Sequence, residues 1–374
     1  MIDVVPLEQE RRSILRFLRV PFNVYRKDPY WVAPLMYDAA KVLSRQNPLF
    51  QHAEIRLWVA SRNGTDVGRI AALVDYNYIH FQNDEAGFFG FFECINDPEA
   101  STALFEAALE WVRQRKVKRV IGPMNPTTND ECGLLIHGFN SSPTFMMPYN
   151  PPYYADLVEG AGFTKAKDLV AYIVSLPDLP TDKLNRVAEK ARRRNPDLTV
   201  RPVTRKTLER DIDLIKEVYN AAWQKNWGFV PMTDAEIDFM AARLKPLLVE
   251  GLVWIVESPR EPVAFLLAVP DFNQTIKPLN GRLLSPKAVR ILPNLLGWRF
   301  PKVCRVVTLG VKEGYRNRGL ESLMLAEGLK VGTKIGFTAA EASWVLEDNI
   351  RMLRVIEVFN GKHYKTYRIY ERAL

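Results

Sequence analysis

A basic turn that contains a glycine stands between two apolar stretches in the second half of the chain. Residues 308–322 read Thr-Leu-Gly-Val-Lys-Glu-Gly-Tyr-Arg-Asn-Arg-Gly-Leu-Glu-Ser, which predicts a strand, a turn and the start of a helix. The first N–H groups of a helix have no partner within it and lie at the positive end of its dipole, so they bind anions. Gly319 lets the main chain approach a phosphate closely, and Arg316 and Arg318 can donate charge-assisted hydrogen bonds. The spacing predicts a pyrophosphate-binding turn; an ordinary turn with exposed arginines would have the same sequence.

The elements around this turn follow strand and helix patterns in alternation. Apolar residues with a period of two predict strands, and apolar residues at helical spacing predict helices. The predicted strands span 198–203, 252–257, 263–269, 306–311, 340–346 and 363–370, and the predicted helices span 208–222, 233–248, 319–330 and 349–359. This order, β-α-α-β-β-β-α-β-α-β, predicts an α/β fold with a mixed (α+β) sheet.

The first half of the chain repeats the same order of elements. Its predicted strands span 2–7, 55–61, 67–74, 88–93, 120–121 and 168–175, and its predicted helices span 11–24, 97–115 and 153–162. Where the second half has its basic turn, residues 95–98 read Ile-Asn-Asp-Pro. An acid and no arginine make a poor phosphate site. We therefore predict two tandem units, of which the first is degenerate.

Two prolines at 177 and 180 mark the boundary between the two units, because proline interrupts helices and strands. The predicted domains are a first unit over 1–177 with a loop-rich insertion at about 122–152, a linker with a basic helix over 178–197, and a second unit over 198–374.

The motif Arg-Asn-Arg-Gly at 316–319 resembles the coenzyme A motif of the GCN5-related N-acetyltransferase (GNAT) superfamily, Gln/Arg-x-x-Gly-x-Gly/Ala. The resemblance implies acetyl-CoA or a longer acyl-CoA as substrate, and no metal. It implies that the pantetheine arm pairs with a splayed strand at Leu309, Gly310 and Val311. It implies that the pyrophosphate is held by the turn that contains Arg316, Asn317, Arg318, Gly319, Leu320 and Glu321. Glu321 departs from the pattern, since a carboxylate near phosphates is unfavourable unless it points away.

The later helix of the family commonly begins Asn-x-x-Ala-x-x-Leu-Tyr, and Asn349 matches its first position. The tyrosine that often protonates the leaving thiolate is missing from its usual place. Tyr364, Tyr367 and Tyr370 on the last predicted strand are the substitutes, and Tyr367 is the candidate taken here. The alternative is that these aromatic side chains only pack the terminal strand.

Three acids lie on or directly after the strand predicted at 340–346. Glu341 and Glu347 fall on one face of a regular strand and Asp348 falls on the other. We predict Glu347 as the general base or the anchor of an amine acceptor, and Asn349 as a positioning residue. A main-chain N–H group near Val311 could polarise the thioester carbonyl.

More narrowly, the chain resembles a bacterial group of tandem GNAT-like proteins over nearly its whole length. The phrases that carry this resemblance are Glu-Ala-Ser-Trp-Val-Leu-Glu-Asp-Asn at 341–349, Lys-Thr-Tyr-Arg-Ile-Tyr-Glu at 365–371, Gly-Pro-Met-Asn at 122–125 and Tyr-Asn-Pro-Pro-Tyr-Tyr at 149–154. Some relatives resemble ceramide-forming N-acyltransferases, which implies a fatty acyl donor and a long-chain amine acceptor.

Composition narrows the partners. The formal charge of +8 favours polyanions such as a phosphorylated cofactor, an anionic lipid or nucleic acid. The densest basic run is Lys-Ala-Arg-Arg-Arg at 190–194, which would also suit the negative end of a helix dipole. With 4 histidines and no basic-aromatic stripe, nucleic acid is not an expected partner. The three cysteines are far apart and lie in no metal-binding spacing, which predicts a reduced, cytoplasmic protein.

Three functions fit these patterns. The first is an acyl-CoA-dependent N-acyltransferase, and the second is a catalytically silent CoA-binding or regulatory protein. The third is a protein that makes peripheral contact with an anionic membrane through the segment 286–301, which mixes leucines, Trp298 and Phe300 with basic residues. That segment could equally pack into the core, and the oligomeric state is not predicted.

Overall fold

The computed structural model describes residues 1–283, 285–295 and 297–374, and only the main chain of Arg290 and Leu295. The chain divides into two compact units, and each is described by itself. Unit 1 comprises Met1–Val170, Ile276–Val289 and Lys365–Leu374, and unit 2 comprises Ala171–Thr275 and Arg290–Tyr364. Both units are assembled from separate stretches of chain, whereas the boundaries predicted at 177 and 198 describe contiguous domains.

Strands and helices alternate in both halves of the chain. The strands are β1 (Ile2–Leu7), β2 (Ala53–Arg62), β3 (Thr65–Asp75), β4 (Ala86–Cys94), β5 (Arg119–Gly122), β6 (Met124–Asn125), β7 (Glu131–Cys132), β8 (Leu134–His137), β9 (Thr164–Ser175), β10 (Thr199–Pro202), β11 (Val253–Glu257), β12 (Pro262–Pro270), β13 (Val303–Val311), β14 (Ala339–Leu346) and β15 (Lys362–Ala373). The α-helices are α1 (Arg11–Val24), α2 (Met36–Leu43), α3 (Tyr76–Gln82), α4 (Pro98–Arg113), α5 (Tyr154–Gly160), α6 (Thr181–Arg194), α7 (Leu208–Ala222), α8 (Asp234–Leu244), α9 (Phe272–Ile276), α10 (Leu292–Leu295), α11 (Leu320–Ile335) and α12 (Ile350–Val358).

The sheet of unit 1 has the order β1-β2-β3-β4-β5-β15. Strands β1 to β4 are antiparallel neighbours, and β4 is parallel to β5 because helix α4 connects them. Helix α4 begins at Asp97, whose side chain caps two main-chain N–H groups. Its apolar side, with Leu104 and Phe105, packs on one face of the sheet, and Phe17 of α1 packs on the other. The sheet therefore separates two apolar layers.

Specific contacts draw the two later stretches of chain into unit 1. The ammonium group of Lys277 donates hydrogen bonds to the carbonyl of Pro29 at 2.5 Å and to the hydroxyl of Ser142 at 2.8 Å. Strand β15 is antiparallel to β5, with Tyr370 opposite Gly122. The chain terminus thus completes the sheet of the N-terminal unit.

The sheet of unit 2 has the order β9-β14-β13-β12-β11-β10, to which β9 contributes its residues from Ala171 onward. Strands β10 to β13 are antiparallel neighbours, and β13 is parallel to β14, with α11 as the connection. Residues of β12 alternate between the faces: Leu266 packs toward α11, and Phe265 packs toward α7. Helix α6 lies along α11.

Each unit has the same succession of a first strand, two helices, a hairpin, and two parallel strands joined by a helix. The predicted α/β fold with two tandem units is confirmed. The prediction assigns the last strand of each half to the wrong sheet. The strand predicted at 363–370 is β15, which lies beside β5 in unit 1, and the strand predicted at 168–175 is β9, which lies beside β14 in unit 2. Strand partners are set by hydrogen bonds between distant segments, which local periodicity does not report. Among the described residues, no helix combines the length and apolarity needed to cross a membrane.

Candidate active site

Strands β13 and β14 separate halfway along their length. They pair from Val303 opposite Ala339 to Val306 opposite Ala342, and both are fully described beyond that point without further pairing to each other. The rest of β13 stays with β12, where Thr308 faces Leu267 and a one-residue irregularity falls at Val307. A bulge of this kind turns a strand locally. The result is a wedge between the carboxyl ends of two parallel strands, which is where α/β sheets place ligands.

The turn between β13 and α11 has the backbone that the sequence predicts. Asn317 and Gly319 both adopt the left-handed conformation, with φ of 64° and 80°. Gly319 is the N-cap of α11 and contributes no capping side chain, so no side-chain cap covers the first N–H groups of the helix. A Cβ atom on Gly319 would lie 3.0 Å from the Cβ atom of Ala191. Two separate constraints therefore require glycine at this position.

The two arginines of the turn have different surroundings. Arg316 donates hydrogen bonds to the carbonyls of Val311 at 3.2 Å and Ala222 at 2.7 Å, which fastens the turn to β13 and α7. Arg318 is exposed, with its guanidinium 4.8 Å from the ring centre of Tyr315. The guanidinium of Arg318 is thus open to solvent, while that of Arg316 is held by main-chain carbonyls. Phosphate contact by either arginine stays a prediction.

A buried polar cluster lies where the two strands begin to part. Glu341 of β14 and Arg305 of β13 occupy opposed register positions and are 0% and 1% exposed. Nε of Arg305 lies 3.8 Å from Oε2 of Glu341 and 3.1 Å from the hydroxyl of Ser343. The hydroxyl of Tyr364 donates a hydrogen bond to Oε1 of Glu341. Buried charges are tolerated when they are paired in this way, so the cluster holds a carboxylate at the base of the wedge.

Each of the three predicted catalytic residues has a definite place in the secondary structure. Glu347 follows the last residue of β14 and is half-buried. Asn349 caps α12, because its side-chain oxygen accepts a hydrogen bond from the N–H of Met352 at 3.2 Å. Tyr367 is a fully buried residue of unit 1. A catalytic role for these three stays a prediction.

Sequence reasoning considered Glu341 and Tyr364 but passed over both, and it missed Arg305. The signal available was an acid between small apolar residues on β14 and a basic residue between apolar residues on β13. Two strands joined by a single helix are commonly parallel neighbours, and opposite charges within their apolar runs then indicate a buried pair.

An apolar cavity of about 130 Å³ lies on the side of the unit 2 sheet that faces α11 and α12. Val306 and Leu309 of β13 border it, together with Gly328 of α11 and Val355 of α12. Cys304 also borders it, and burial raises the pKa of its thiol to about 12. The thiol is therefore neutral near pH 7 and is a poor nucleophile.

Comparison with known proteins agrees with this architecture. No family model matches the chain. The bacterial ceramide synthase of Caulobacter vibrioides is 34% identical over 390 residues, covering 100% of this chain and 98% of the relative. Protein YghO of Escherichia coli is 32% identical over 373 residues, covering 97% of this chain and 94% of the relative.

A tandem GNAT protein from the clavulanic acid biosynthesis pathway superimposes with a TM-score of 0.60 at 11% identity, covering 100% of this chain and 98% of that one. The chain belongs to one family with the bacterial ceramide synthase and Protein YghO, and its fold is that of the GNAT proteins. A GNAT structure from Anabaena variabilis shares the fold with a TM-score of 0.52 at 10% identity, covering 99% and 72%.

The wedge of the first GNAT unit is filled by its own chain. Strands β4 and β5 pair only from Ala86 to Phe88, so they also part. A Cβ atom on Gly90 would lie 1.6 Å from the carbonyl oxygen of Met124, and the side chain of Asn125 accepts a hydrogen bond from the N–H of Phe91 at 2.6 Å. Strand β6 thus lies against β4 beyond the point where β4 and β5 part. The first copy, which is predicted to be degenerate because it lacks the basic turn, therefore has its own chain at the strand opening.

Beside this filled wedge, the first GNAT unit buries its own carboxylate. Glu93 accepts hydrogen bonds from the hydroxyl groups of Tyr25 at 2.6 Å and Tyr154 at 2.7 Å. Burial raises the pKa of Glu93, although the guanidinium of Arg69, 3.5 Å from the Glu93 carboxylate, opposes that shift. The hydrogen bonds to Glu93 are donated by residues of unit 1, namely Tyr25, Tyr154 and Arg69, which suits a structural role for this carboxylate.

Proposed function

We propose that unit 2 is an acyl-CoA-dependent N-acyltransferase that transfers an acyl group from the coenzyme A thioester to an amine. The observation that carries this proposal is the buried carboxylate of Glu341 at the point where β13 and β14 separate. Leu309, Gly310 and Val311 form the β13 side of the wedge, and the open first turn of α11 follows directly after it. The likeness to the GNAT fold supports the same donor.

The reaction requires few protein groups. The amine nitrogen attacks the thioester carbonyl carbon, the carbon–sulfur bond breaks, and the electron pair leaves with the sulfur as a thiolate. Glu341 accepts the proton of the amine, and an N–H group of β13 near Val311 polarises the carbonyl. Tyr364 and Arg305 hold the carboxylate in place. Glu347, Asn349 and Tyr367 are the alternative set, in which Glu347 is the base, Asn349 positions the amine and Tyr367 protonates the thiolate.

Coenzyme A is proposed to bind with its pyrophosphate at the turn formed by Asn317, Arg318, Gly319, Leu320 and Glu321. Support comes from the two left-handed residues and from the uncapped helix start. Glu321 is half-buried in the first turn of α11, and its side chain must point away from the phosphates. The amide N–H groups, rather than side chains, would supply most of the anion binding.

A long acyl chain and a lipid amine are the proposed substrates. Two observations support them. The cavity bordered by Val306, Leu309 and Gly328 is almost wholly apolar, as a hydrocarbon chain requires. A relative that is 34% identical over the whole chain carries the name bacterial ceramide synthase, and a ceramide is the amide of a long-chain amine.

The test is acyl transfer by the purified full chain. Palmitoyl-CoA or acetyl-CoA is mixed with sphinganine or a short amine, and both the released thiol and the amide are measured by mass spectrometry. We expect amide only with an amine present, faster with palmitoyl-CoA than with acetyl-CoA. Binding of the thioesters without any amide from a panel of amines would reject the enzyme and support the silent CoA-binding protein, which the missing helix tyrosine and Glu321 favour.

Peripheral membrane contact is a second proposal, and it rests on unit 2 alone. Trp298 is 77% exposed and Leu292 is 48% exposed. Leu296, which belongs to the same predicted segment, lies outside the described residues, and so do the side chains of Arg290 and Leu295. Exposed tryptophan beside basic residues such as Arg299 suits a lipid headgroup layer. Loss of binding to anionic vesicles in Trp298→Ala would support this contact, and unchanged binding would reject it.

A further inference from the structure

Helix α6 lies outside the succession of elements that the two units share, and it packs against α11, the helix that follows the proposed pyrophosphate turn. Its buried side chains are Leu184, Ala188 and Ala191, which join a cluster with Leu323 and Ala326 of α11. The other side of α6 is exposed to solvent. An amphipathic helix in this position is fixed relative to α11 by apolar contact.

The last turn of α6 touches the pyrophosphate turn itself. The Cβ atom of Ala191 is 3.0 Å from the position of a Cβ atom on Gly319. The side-chain amide of Asn195 donates hydrogen bonds to the carbonyls of Ala191 at 2.7 Å and Arg318 at 3.3 Å. Asn195 is 5% exposed, so this link is buried. The C-terminal end of α6 and the N-terminal end of α11 are therefore held side by side.

Charge alone would make this a poor arrangement for a phosphate, because the C-terminal end of a helix carries partial negative charge. The sequence compensates with Lys190, Arg192, Arg193 and Arg194. Arg192 forms an ion pair with Glu327 at 2.6 Å. Within the described part of the chain, the exposed Lys190, Arg193 and Arg194 have no carboxylate partner. These three exposed cations thus belong to the same end of α6 as Ala191 and Asn195, the two residues that contact the proposed pyrophosphate turn.

We propose that the last turn of α6 binds the 3′-phosphate of the coenzyme A nucleotide, with Arg193 and Arg194 as its ligands. The proposal rests on the coenzyme A site proposed for the 316–321 turn. A phosphate monoester carries close to two negative charges near pH 7, and arginine donates paired hydrogen bonds to it. The pyrophosphate uses the N–H groups of α11, which leaves the α6 side chains for the remaining phosphate. This subsite selects free acyl-CoA over thioesters that lack the 3′-phosphate.

The test compares CoA with 3′-dephospho-CoA by calorimetry on the full chain. Wild type, the double variant Arg193→Ala/Arg194→Ala and the control Lys183→Ala/Arg186→Ala are titrated with both ligands. The control removes two exposed charges from the opposite end of the same helix. We expect wild type and control to prefer CoA by about tenfold or more, which corresponds to about 1.4 kcal/mol. The double variant should lose that preference while its affinity for dephospho-CoA stays within about twofold.

Each outcome separates the subsite from the proposed function. Retention of the CoA preference in Arg193→Ala/Arg194→Ala overturns the subsite, while binding of CoA by that variant leaves the acyltransferase proposal standing. Absence of binding of either ligand to wild type overturns both. If the double variant binds neither ligand but melts like wild type, the arginines act on the whole site rather than on the 3′-phosphate, and the subsite is rejected.

Discussion

The hydroxyl group of Tyr364 donates a hydrogen bond to the carboxylate of Glu341, a residue with no exposed surface. Glu341 lies one residue before the last paired position of β14, where its partner strand turns away. Tyr364 precedes the stretch of β15 that completes unit 1. Tyr364 is the last residue of unit 2, and it therefore orients Glu341, an acid inside the sheet of unit 2.

The first prediction concerns this acid. Glu341→Gln keeps the shape and one hydrogen-bond acceptor but removes the base, so kcat should fall by about 10²-fold or more. CoA affinity should change little, because the substitution lies in the sheet and not in the turn. Glu347→Gln is the matched control. If Glu347→Gln loses activity and Glu341→Gln keeps it, the set of Glu347, Asn349 and Tyr367 is the correct one.

The second prediction separates backbone strain from packing at Gly319. Gly319→Ala places a Cβ atom at φ of 80° and against Ala191, so it should destabilise the protein and weaken CoA binding. Gly336→Ala is the control, since it has φ of 94° and no neighbour within 4 Å of the new atom. The left-handed conformation costs both variants about 1–2 kcal/mol. A larger loss in urea unfolding for Gly319→Ala is expected, and equal losses would contradict the contact with α6.

The third prediction tests the cavity as the acyl site. Gly328 borders the cavity, and a Cβ atom added there would make an ordinary van der Waals contact of 3.5 Å with the side chain of Leu266, so Gly328→Leu should fill part of the cavity. The KM for palmitoyl-CoA should rise by about tenfold, while that for acetyl-CoA should stay within about twofold. Thr333→Leu on the exposed side of α11 is the control. An equal rise in KM for both thioesters would mean that the acyl chain does not bind in this cavity.

The fourth prediction concerns stability in acid. Burial alone would raise the pKa of Asp211, but two hydrogen bonds of 2.8 Å from Arg201, together with contributions from Thr207 and Arg210, outweigh burial and lower it. A lowered pKa in the folded state means that the pair stabilises the protein at neutral pH. That contribution should be lost as the pH falls below the ordinary value of 3.8.

Urea unfolding at several pH values measures this linkage. Arg201→Ala should cost about 2–3 kcal/mol at pH 7, below the full 3–5 kcal/mol of a buried pair because Arg201 keeps some exposure. The loss should shrink as the pH falls below 3.8 and through the lowered pKa of Asp211 in the folded protein. A loss that is independent of pH would show that packing of the arginine stem, and not its charge, is what matters.

The fifth prediction concerns the thiols. Cys94, Cys132 and Cys304 are buried, and burial raises the pKa of both Cys94 and Cys304 to about 12. Native protein should therefore resist alkylation at pH 8, and all three cysteines should react in urea. Rapid labelling of one thiol in native protein, found by peptide mass spectrometry, would mean that its surroundings open.

The repeated unit, the basic turn and the glycine at its end could be predicted from the sequence, because each depends on neighbours in the chain. Helical spacing marks α7 and α11, alternation marks β12, and the turn needs Asn317 and Gly319 for its left-handed residues. Asn349 was also found by its sequence, although the structure uses it as a helix cap.

The tertiary structure alone decided which strands close each sheet and which charges face each other. Arg305 and Glu341 are 36 positions apart, and their pairing follows from the register of β13 on β14. Likewise, Ala191 meets Gly319 only because α6 lies along α11. The filling of the first wedge by Met124 and Asn125 is of the same kind. Periodicity reports the face of an element that is buried, whereas its partner is set by the packing of the whole unit.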